Sequence, residues 1–155
     1  NPDPDRAEFD RAWQARAGGT GQQMMNYEPN YEGSRVVVGP PGGVGSAHGT
    51  HSCAARPGHH LAPQPLSSGK NVFEELGPGF TRLAFDDSED AAARFIEAAR
   101  PLGIPLKIVR DTFAGGREAY GTRLVLVRPD QYVVWTGDRA PDDARRIMGM
   151  VAGLL

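Results

Sequence analysis

The sequence predicts a mixed α/β domain with a four-stranded sheet, in which a β-α-β unit is followed by a β-β-α unit. The main observation is a pair of apolar runs, 124–127 and 132–135, separated by the turn segment 128–131. β-branched and aromatic residues favour strands, and Pro129 followed by Asp130 suits the centre of a type I turn. The two runs therefore predict an antiparallel hairpin with both strands buried.

A strand, a helix and a second strand precede this hairpin. Residues 80–85 read F-T-R-L-A-F and predict the first strand. The helix is predicted over 89–100, with capping residues Asp86, Asp87 and Ser88, and with Ala92, Phe95, Ile96 and Ala99 on its buried face. The second strand is predicted over 106–109. Because a helix joins them, the two strands are expected to be parallel through a right-handed crossover.

A closing helix completes the predicted domain. Pro141 suits an early helical position. The apolar spacing then places one set of residues on the buried side: Ala144, Ile147, Met148, Val151, Leu154 and Leu155. The helices must cover the sheet, because an unburied apolar sheet face is unstable in water.

The first half of the chain differs from the second. Residues 1–79 hold 22 of the 33 glycines and prolines. One short helix is predicted after Asp3 and Pro4, with Phe9, Ala12 and Trp13 on one face, followed by extended pieces at 27–31 and 36–38. No regular element is predicted over 39–70. We therefore expect an irregular extension over 1–70, docked on the domain at 71–155, on a second subunit or on a missing neighbour.

Length and charge limit the classes of function. The chain has 155 residues, a net charge of −2 and one cysteine, Cys53. This length suits one domain, and the absence of a basic excess argues against a nucleic-acid partner. No apolar run is long enough to span a membrane and no signal-peptide pattern is present, so a cytoplasmic location without membrane binding is expected. The start at Asn1 fits a piece of a longer protein, and equally the processing of a tag.

Four histidines and the cysteine fall within 13 residues: His48, His51, Cys53, His59 and His60. Imidazole and thiolate groups together can form a tetrahedral zinc site. Their spacing does not match the paired C-x-x-C units of structural zinc sites. Ordinary polar contacts of a loop are therefore the favoured interpretation, with metal binding left as the alternative.

Two further patterns have functional and structural interpretations. The glycine-rich run 39–45 follows three valines, like the phosphate loop of a dinucleotide site, but neither a helix start nor the expected acidic residue follows it. A surface loop is the better prediction. The acidic residues Asp86, Asp87, Glu89 and Asp90 could supply a catalytic carboxylate pair, but capping and the helix dipole already explain them.

Three motifs in order carry a resemblance to a known family. Residues 56–63 (R-P-G-H-H-L-A-P) resemble R-P-G-x-R-x-P-H, and residues 77–83 (G-P-G-F-T-R-L) resemble G-P-G-F-T-L-L, with Arg82 in place of an apolar residue. Residues 128–135 match R-P-D-x-x-V-x-W, and residues 31–34 resemble an upstream Y-x-x-S segment. Together they resemble the C-terminal, thioredoxin-like domain of FAD-dependent aromatic-ring hydroxylases, the class A flavoprotein monooxygenases of the phenol and polyketide type.

The resemblance implies a structural or oligomerisation domain of a larger enzyme. In such enzymes FAD and NADPH or NADH are bound by a larger N-terminal flavin domain that contains a G-x-G-x-x-G fingerprint, and this chain lacks that fingerprint. A thioredoxin-like redox site would need cysteine after the first strand, where Asp86 to Glu89 stand. We therefore expect no catalytic, cofactor-binding or metal residues here, the flavin domain as partner and a possible homo-oligomer. The alternative is a stand-alone, redox-inactive thioredoxin-like module that binds a protein.

Overall fold

The computed structural model describes residues 6, 8, 10, 11, 14, 26–87 and 89–155, without the side chains of 89–91. A small antiparallel hairpin pairs β1 (Tyr27–Asn30) with β2 (Ser46–His48). The remaining elements are α1 (Val72–Glu75), β3 (Phe80–Phe85), α2 (Glu89–Ala99), β4 (Leu106–Asp111), β5 (Leu124–Val127), β6 (Val133–Gly137) and α3 (Ala144–Val151), with 3₁₀ turns at Arg100–Leu102 and Arg117–Tyr120.

The four long strands form one mixed sheet in the order β4-β3-β5-β6. Strand β3 is parallel to β4, with Leu83 opposite Val109, and antiparallel to β5, with Leu83 opposite Val125. Strands β5 and β6 are antiparallel. The predicted four-stranded sheet, with its β-α-β and β-β-α order, is confirmed.

The predicted hairpin has the expected turn and one added irregularity. The Gln131 amide donates to the Arg128 carbonyl at 2.9 Å, which closes the turn. The register shifts between Leu126 and Val127, so that Val134 is the extra residue of a β-bulge. All four residues of β5 are buried, as are the first three of β6. The prediction of two buried strands is confirmed.

Helices α2 and α3 pack together on one face of the sheet. Phe95 of α2 lies with its ring centroid 5.3 Å from that of Trp135 in β6, and Met148 of α3 is fully buried in the same core. Small side chains at Ala84 and Ala99 allow this close helix-to-sheet contact. Both helices therefore cover the same face.

Three residues predicted to be buried on these helices are exposed. Ile96 is 38% exposed, because Phe95 and its i+4 neighbour Ala99 form the contact line and Ile96 lies beside it. Leu154 and Leu155 are 56% and 69% exposed. The helix ends at Val151, and Gly153, with φ of 72°, reverses the chain before it can bury them.

Mostly irregular chain, together with the short helix α1, covers the opposite face of the sheet. Leu61, Leu66 and Val72 pack against Leu83 and Phe85 of β3 in a second apolar core. The hydroxyl of Tyr120, on the second 3₁₀ turn, donates to the Ala62 carbonyl at 2.7 Å from within this core. Part of the segment assigned to the extension thus contacts the sheet, and the division at residue 70 stays a prediction.

The first half contains more regular structure than the sequence predicts. The extended piece at 27–31 is β1, and the structure adds the strand Ser46–His48 within the range 39–70, for which the sequence pattern identifies no regular element. Val38 donates to the Val134 carbonyl at 2.8 Å, which brings the second extended piece to the edge of β6. Residues 6, 8, 10, 11 and 14 are helical and exposed, but Phe9, Ala12 and Trp13 of the predicted N-terminal helix lie outside the described residues. Among the helices of the described ranges, none has the length and apolar character to cross a membrane.

Candidate functional site

The turn after β3 carries the acidic residues predicted to cap α2. The Asp86 carboxylate accepts hydrogen bonds from Arg123 Nη1 at 2.8 Å and from the Phe113 amide at 3.2 Å. The Asp87 carboxylate accepts one from Arg82 Nη2 at 2.5 Å. Ser88 and the side chains of Glu89 and Asp90 lie outside the described part. The carboxylates of Asp86 and Asp87 therefore both form ion pairs within the chain.

Arg82 is buried in the middle of the sheet. Its side chain is 0% exposed, and its guanidinium carbon lies 4.7 Å from the centroid of the Phe95 ring. Burial lowers the pKa of Arg82 below its ordinary value, and the charge of Asp87 opposes that shift. Its Nε and Nη1 atoms have no hydrogen-bond partner among the described residues. The sequence signal for this site was a charged residue within a strand that is otherwise free of charge.

The clustered histidines and cysteine do not come together. His48, His51 and Cys53 are exposed. The ring of His60 instead contacts the rings of Tyr132 and Phe73, with centroids 5.4 and 5.8 Å away. In the ranges the structure describes, no three or more His, Cys, Asp or Glu residues are arranged to hold a metal ion.

His59 belongs to a different group, which we call the charge cluster: Glu28, Glu32, Arg56 and His59. The His59 side chain is 4% exposed. Its Nδ1 atom lies 3.1 Å from Glu28 Oε1, and its Nε2 atom lies 2.7 Å from Glu32 Oε1. Glu28 also accepts from Arg56 Nη2 at 3.0 Å and from the His51 backbone amide at 2.6 Å. Sequence reasoning missed this cluster, because its members are separated by up to 31 residues.

The electrostatics of Glu28 reflect these partners. Burial alone would raise the pKa of its carboxyl. The hydrogen bonds from the His51 amide and from His59, together with the charges of Arg56 and His59, outweigh burial and hold that pKa below 4.5. Glu28 is therefore an anion that the fold stabilises.

Residues 39–43 of the glycine-rich run 39–45 line a pocket of about 240 Å³. The glycine-rich run leads into strand β2, whereas the phosphate loop of a dinucleotide site would lead into a helix. The pocket is lined by Glu32, Gly33, Val37, Gly39, Pro40, Pro41, Gly42, Gly43 and Pro57. Glu32 is the charged residue of this lining, and its carboxylate would repel a phosphate group.

A row of contacting rings crosses the surface from β1 to α1, and we call it the aromatic row: Tyr31, Tyr132, His60 and Phe73. The Tyr31 and Tyr132 centroids are 4.9 Å apart, and His60 links Tyr132 to Phe73. Tyr31 is 52% exposed, and the neighbouring Tyr27 is 61% exposed. Partly exposed tyrosines are typical of contact surfaces, because the ring is apolar and the hydroxyl is polar.

The fold thus defines a mixed α/β domain whose described polar groups are largely paired with one another. The family model "Aromatic-ring hydroxylase, C-terminal" matches residues 54–153. This chain belongs to that family of C-terminal domains of aromatic-ring hydroxylases, as its three motifs suggested.

Relatives and solved structures agree with this assignment. Over 103 residues the chain is 37% identical to the FAD-dependent monooxygenase apdD of Emericella nidulans, covering 63% of this chain and 16% of the relative. It is 30% identical over 111 residues to the FAD-dependent monooxygenase opdD of Penicillium oxalicum, covering 67% of this chain and 21% of the relative. The chain therefore spans less than a quarter of the length of these relatives.

The structural likeness covers most of the chain. RebC soaked with chromopyrrolic acid and with bound 7-carboxy-K252c matches 81% of this chain with 24% of its own, at a TM-score of 0.69 and 28% identity. Aklavinone-11 hydroxylase, solved in a ternary complex with FAD and aklavinone, matches 79% with a TM-score of 0.63. At 23% identity, this structural match shows a shared fold and nothing more.

Proposed function

We propose that the chain is the C-terminal structural domain of an FAD- and NAD(P)H-dependent aromatic-ring monooxygenase and supplies no catalytic, cofactor-binding or metal-binding group. The observation that carries this proposal is the turn after β3. In a thioredoxin-like arrangement this turn would hold the reactive dithiol. Here Asp86 and Asp87 occupy it and form ion pairs with Arg123 and Arg82.

The proposed partner is the N-terminal flavin domain of the same enzyme. Two observations support it: the relatives are more than four times as long as their matching segments, and the aromatic row offers exposed rings beside β1. Subunit contact in a homo-oligomer is a second role, supported by the exposed Leu154 and Leu155 beyond α3. We further propose a cytoplasmic enzyme, because one cysteine cannot form an internal disulfide.

Titration of FAD into the isolated chain tests the absence of a flavin site. We expect no quenching of flavin fluorescence, because the glycine-lined pocket presents a carboxylate where a pyrophosphate would need donors. An apo-flavoprotein titrated in parallel serves as the positive control. Saturable quenching at micromolar concentration would overturn the proposal.

The reading frame upstream of Asn1 separates the two classes of function. A hydroxylase predicts several hundred upstream residues with a glycine-rich strand-to-helix fingerprint. A reading frame that begins near Asn1 would instead support a stand-alone, redox-inactive module that binds a protein partner. Sequencing this region of the transcript therefore decides between the enzyme domain and the adaptor.

A further inference from the structure

The charge cluster places an almost fully buried imidazole between two carboxylates. Nδ1 of His59 faces Glu28 and Nε2 faces Glu32, both within hydrogen-bond distance. Carboxylate oxygens only accept hydrogen bonds, so both contacts are satisfied together when both ring nitrogens donate. Arg56 adds a guanidinium cation against Glu28. Hydrogen bonds between charged groups are stronger than neutral ones, and burial strengthens them further.

The cluster joins two parts of the chain that are distant in sequence. Glu28 lies in β1, and Glu32 lies in the turn that follows it. His59 lies in a segment bound to the edge of β6, since Gly58 donates to the Val133 carbonyl at 2.8 Å and Val133 donates to the His59 carbonyl at 2.9 Å. The cluster therefore spans the junction between the β1–β2 hairpin and the main sheet.

Close backbone approach at the same junction depends on a glycine. The Tyr31 amide donates to the Gly58 carbonyl at 2.7 Å. Gly58 has φ of 93°, and a Cβ atom added there would lie 2.7 Å from the Glu32 backbone nitrogen. Position 58 thus brings Glu32 and His59 within reach, and a larger residue would separate them.

We propose that Glu28, Glu32, Arg56 and His59 form a charge clasp that holds the β1–β2 hairpin against the edge of the main sheet. This gives the R-P-G-H segment at 56–59 a conformational role: it fixes the position of the chain that enters the domain at β1. The clasp is a property of this chain and does not depend on the proposed flavin partner, so either proposal can fail alone.

Hydrogen exchange of the 155-residue chain, measured by NMR, tests the clasp. In His59→Gln we expect two amides to exchange at least ten-fold faster: that of Tyr31, which bonds to Gly58 across the junction, and that of Gly49, which bonds to Asn26 within the hairpin. The amides of Leu83 and Val125 in the central strands should change by less than two-fold. His48→Gln, the same substitution at an exposed histidine of β2, is the matched control and should leave all four rates unchanged.

Unchanged exchange at Tyr31 and Gly49 in His59→Gln would overturn the clasp, and so would equal acceleration of the central-strand amides, which would mark a general loss of stability. If that variant does not fold, Glu28→Gln and Glu32→Gln carry the test, with the hairpin amides expected to exchange at least three-fold faster.

The double variant Glu28→Gln/His59→Gln tests the contact between these two residues. Its effect on hairpin exchange should be smaller than the sum of the two single effects, because both substitutions remove the same contact. Additive effects would contradict the contact.

Discussion

Nη2 of Arg82 lies 2.5 Å from Oδ2 of Asp87, and the two side chains are 0% and 11% exposed. The pair connects the middle of β3 to the turn that leads into α2, underneath the ring of Phe95. The loss of hydration on burying both charges offsets much of their attraction. The pair as a whole therefore adds little to the free energy of unfolding, but either charge would be costly to bury without the other.

Removing one partner of this pair should be costly. We expect Asp87→Asn to lower the free energy of unfolding by about 3–5 kcal/mol, because it leaves the guanidinium buried without an anion. Urea denaturation at pH 7 measures the change. Asp130→Asn, which breaks the more exposed ion pair with Arg128, is the control and should cost at most about 1 kcal/mol. Equal losses in the two variants would contradict the assigned role of Asp87.

Removing both charges should be far less harmful. The double variant Arg82→Met/Asp87→Asn places an apolar side chain of similar length beneath Phe95 and leaves no buried ion. Its stability should equal or exceed that of the parent chain by up to about 4 kcal/mol. The same urea titration decides the outcome. A loss as large as that of Asp87→Asn alone would show that the arginine contributes through its shape and its contact with the Phe95 ring.

Local signals explain which parts of the fold could be predicted. The hairpin was predicted because Pro129 and Asp130 set its turn within one short stretch, whereas the bulge at Val134 depends on pairing across the strands. The apolar spacing also predicted α3, but the left-handed backbone of Gly153 ended the buried stripe early. The helix-facing side of the sheet was thus predictable. The side covered by irregular chain was not.

The charge cluster shows why the candidate site was only partly predictable. His59 was singled out with four neighbours in sequence, but its partners Glu28 and Glu32 are 31 and 27 residues away. Contacts of that separation leave no periodic signal. The burial of Arg82 could not be predicted from the sequence either, because it depends on the strands and the helix that surround this residue in the fold.

Acid should weaken the stability contributed by Glu28. Its folded-state pKa lies below 4.5, so its stabilisation is fully present above about pH 4.5 and is lost as the pH falls through the folded-state pKa. We expect the free energy of unfolding to fall more steeply below pH 4.5 in the parent chain than in Glu28→Gln. Urea titrations from pH 7 to pH 3 provide the comparison. Parallel curves would show that Glu28 has the same pKa in both states.

The chain should have no thiol-disulfide activity. Asp86 and Asp87 stand where the dithiol of a thioredoxin-like domain would lie, and Cys53 is in the irregular first half. Insulin reduction by dithiothreitol should therefore proceed at the background rate in the presence of the chain. A Cys53→Ser variant is the control. Acceleration that disappears in this variant would place a reactive thiol at Cys53.

Limited proteolysis should test the proposed division at residue 70. We expect the first cut between Gly39 and Gly69, because the run 39–45 is an irregular loop with much of its surface exposed, and a resistant C-terminal core should remain. First cleavage within 80–137 would show that the division is wrong.

Two fragments then locate the boundary of the resistant core. A fragment of residues 54–155 keeps Leu61 and Leu66 against the sheet, whereas a fragment of residues 72–155 exposes the apolar surface that they cover. The division at residue 70 predicts that both fragments show native circular dichroism and a cooperative thermal transition. If 54–155 folds and 72–155 does not, residues 54–70 are an integral part of the core, because their burial is then needed to offset the conformational entropy of the sheet.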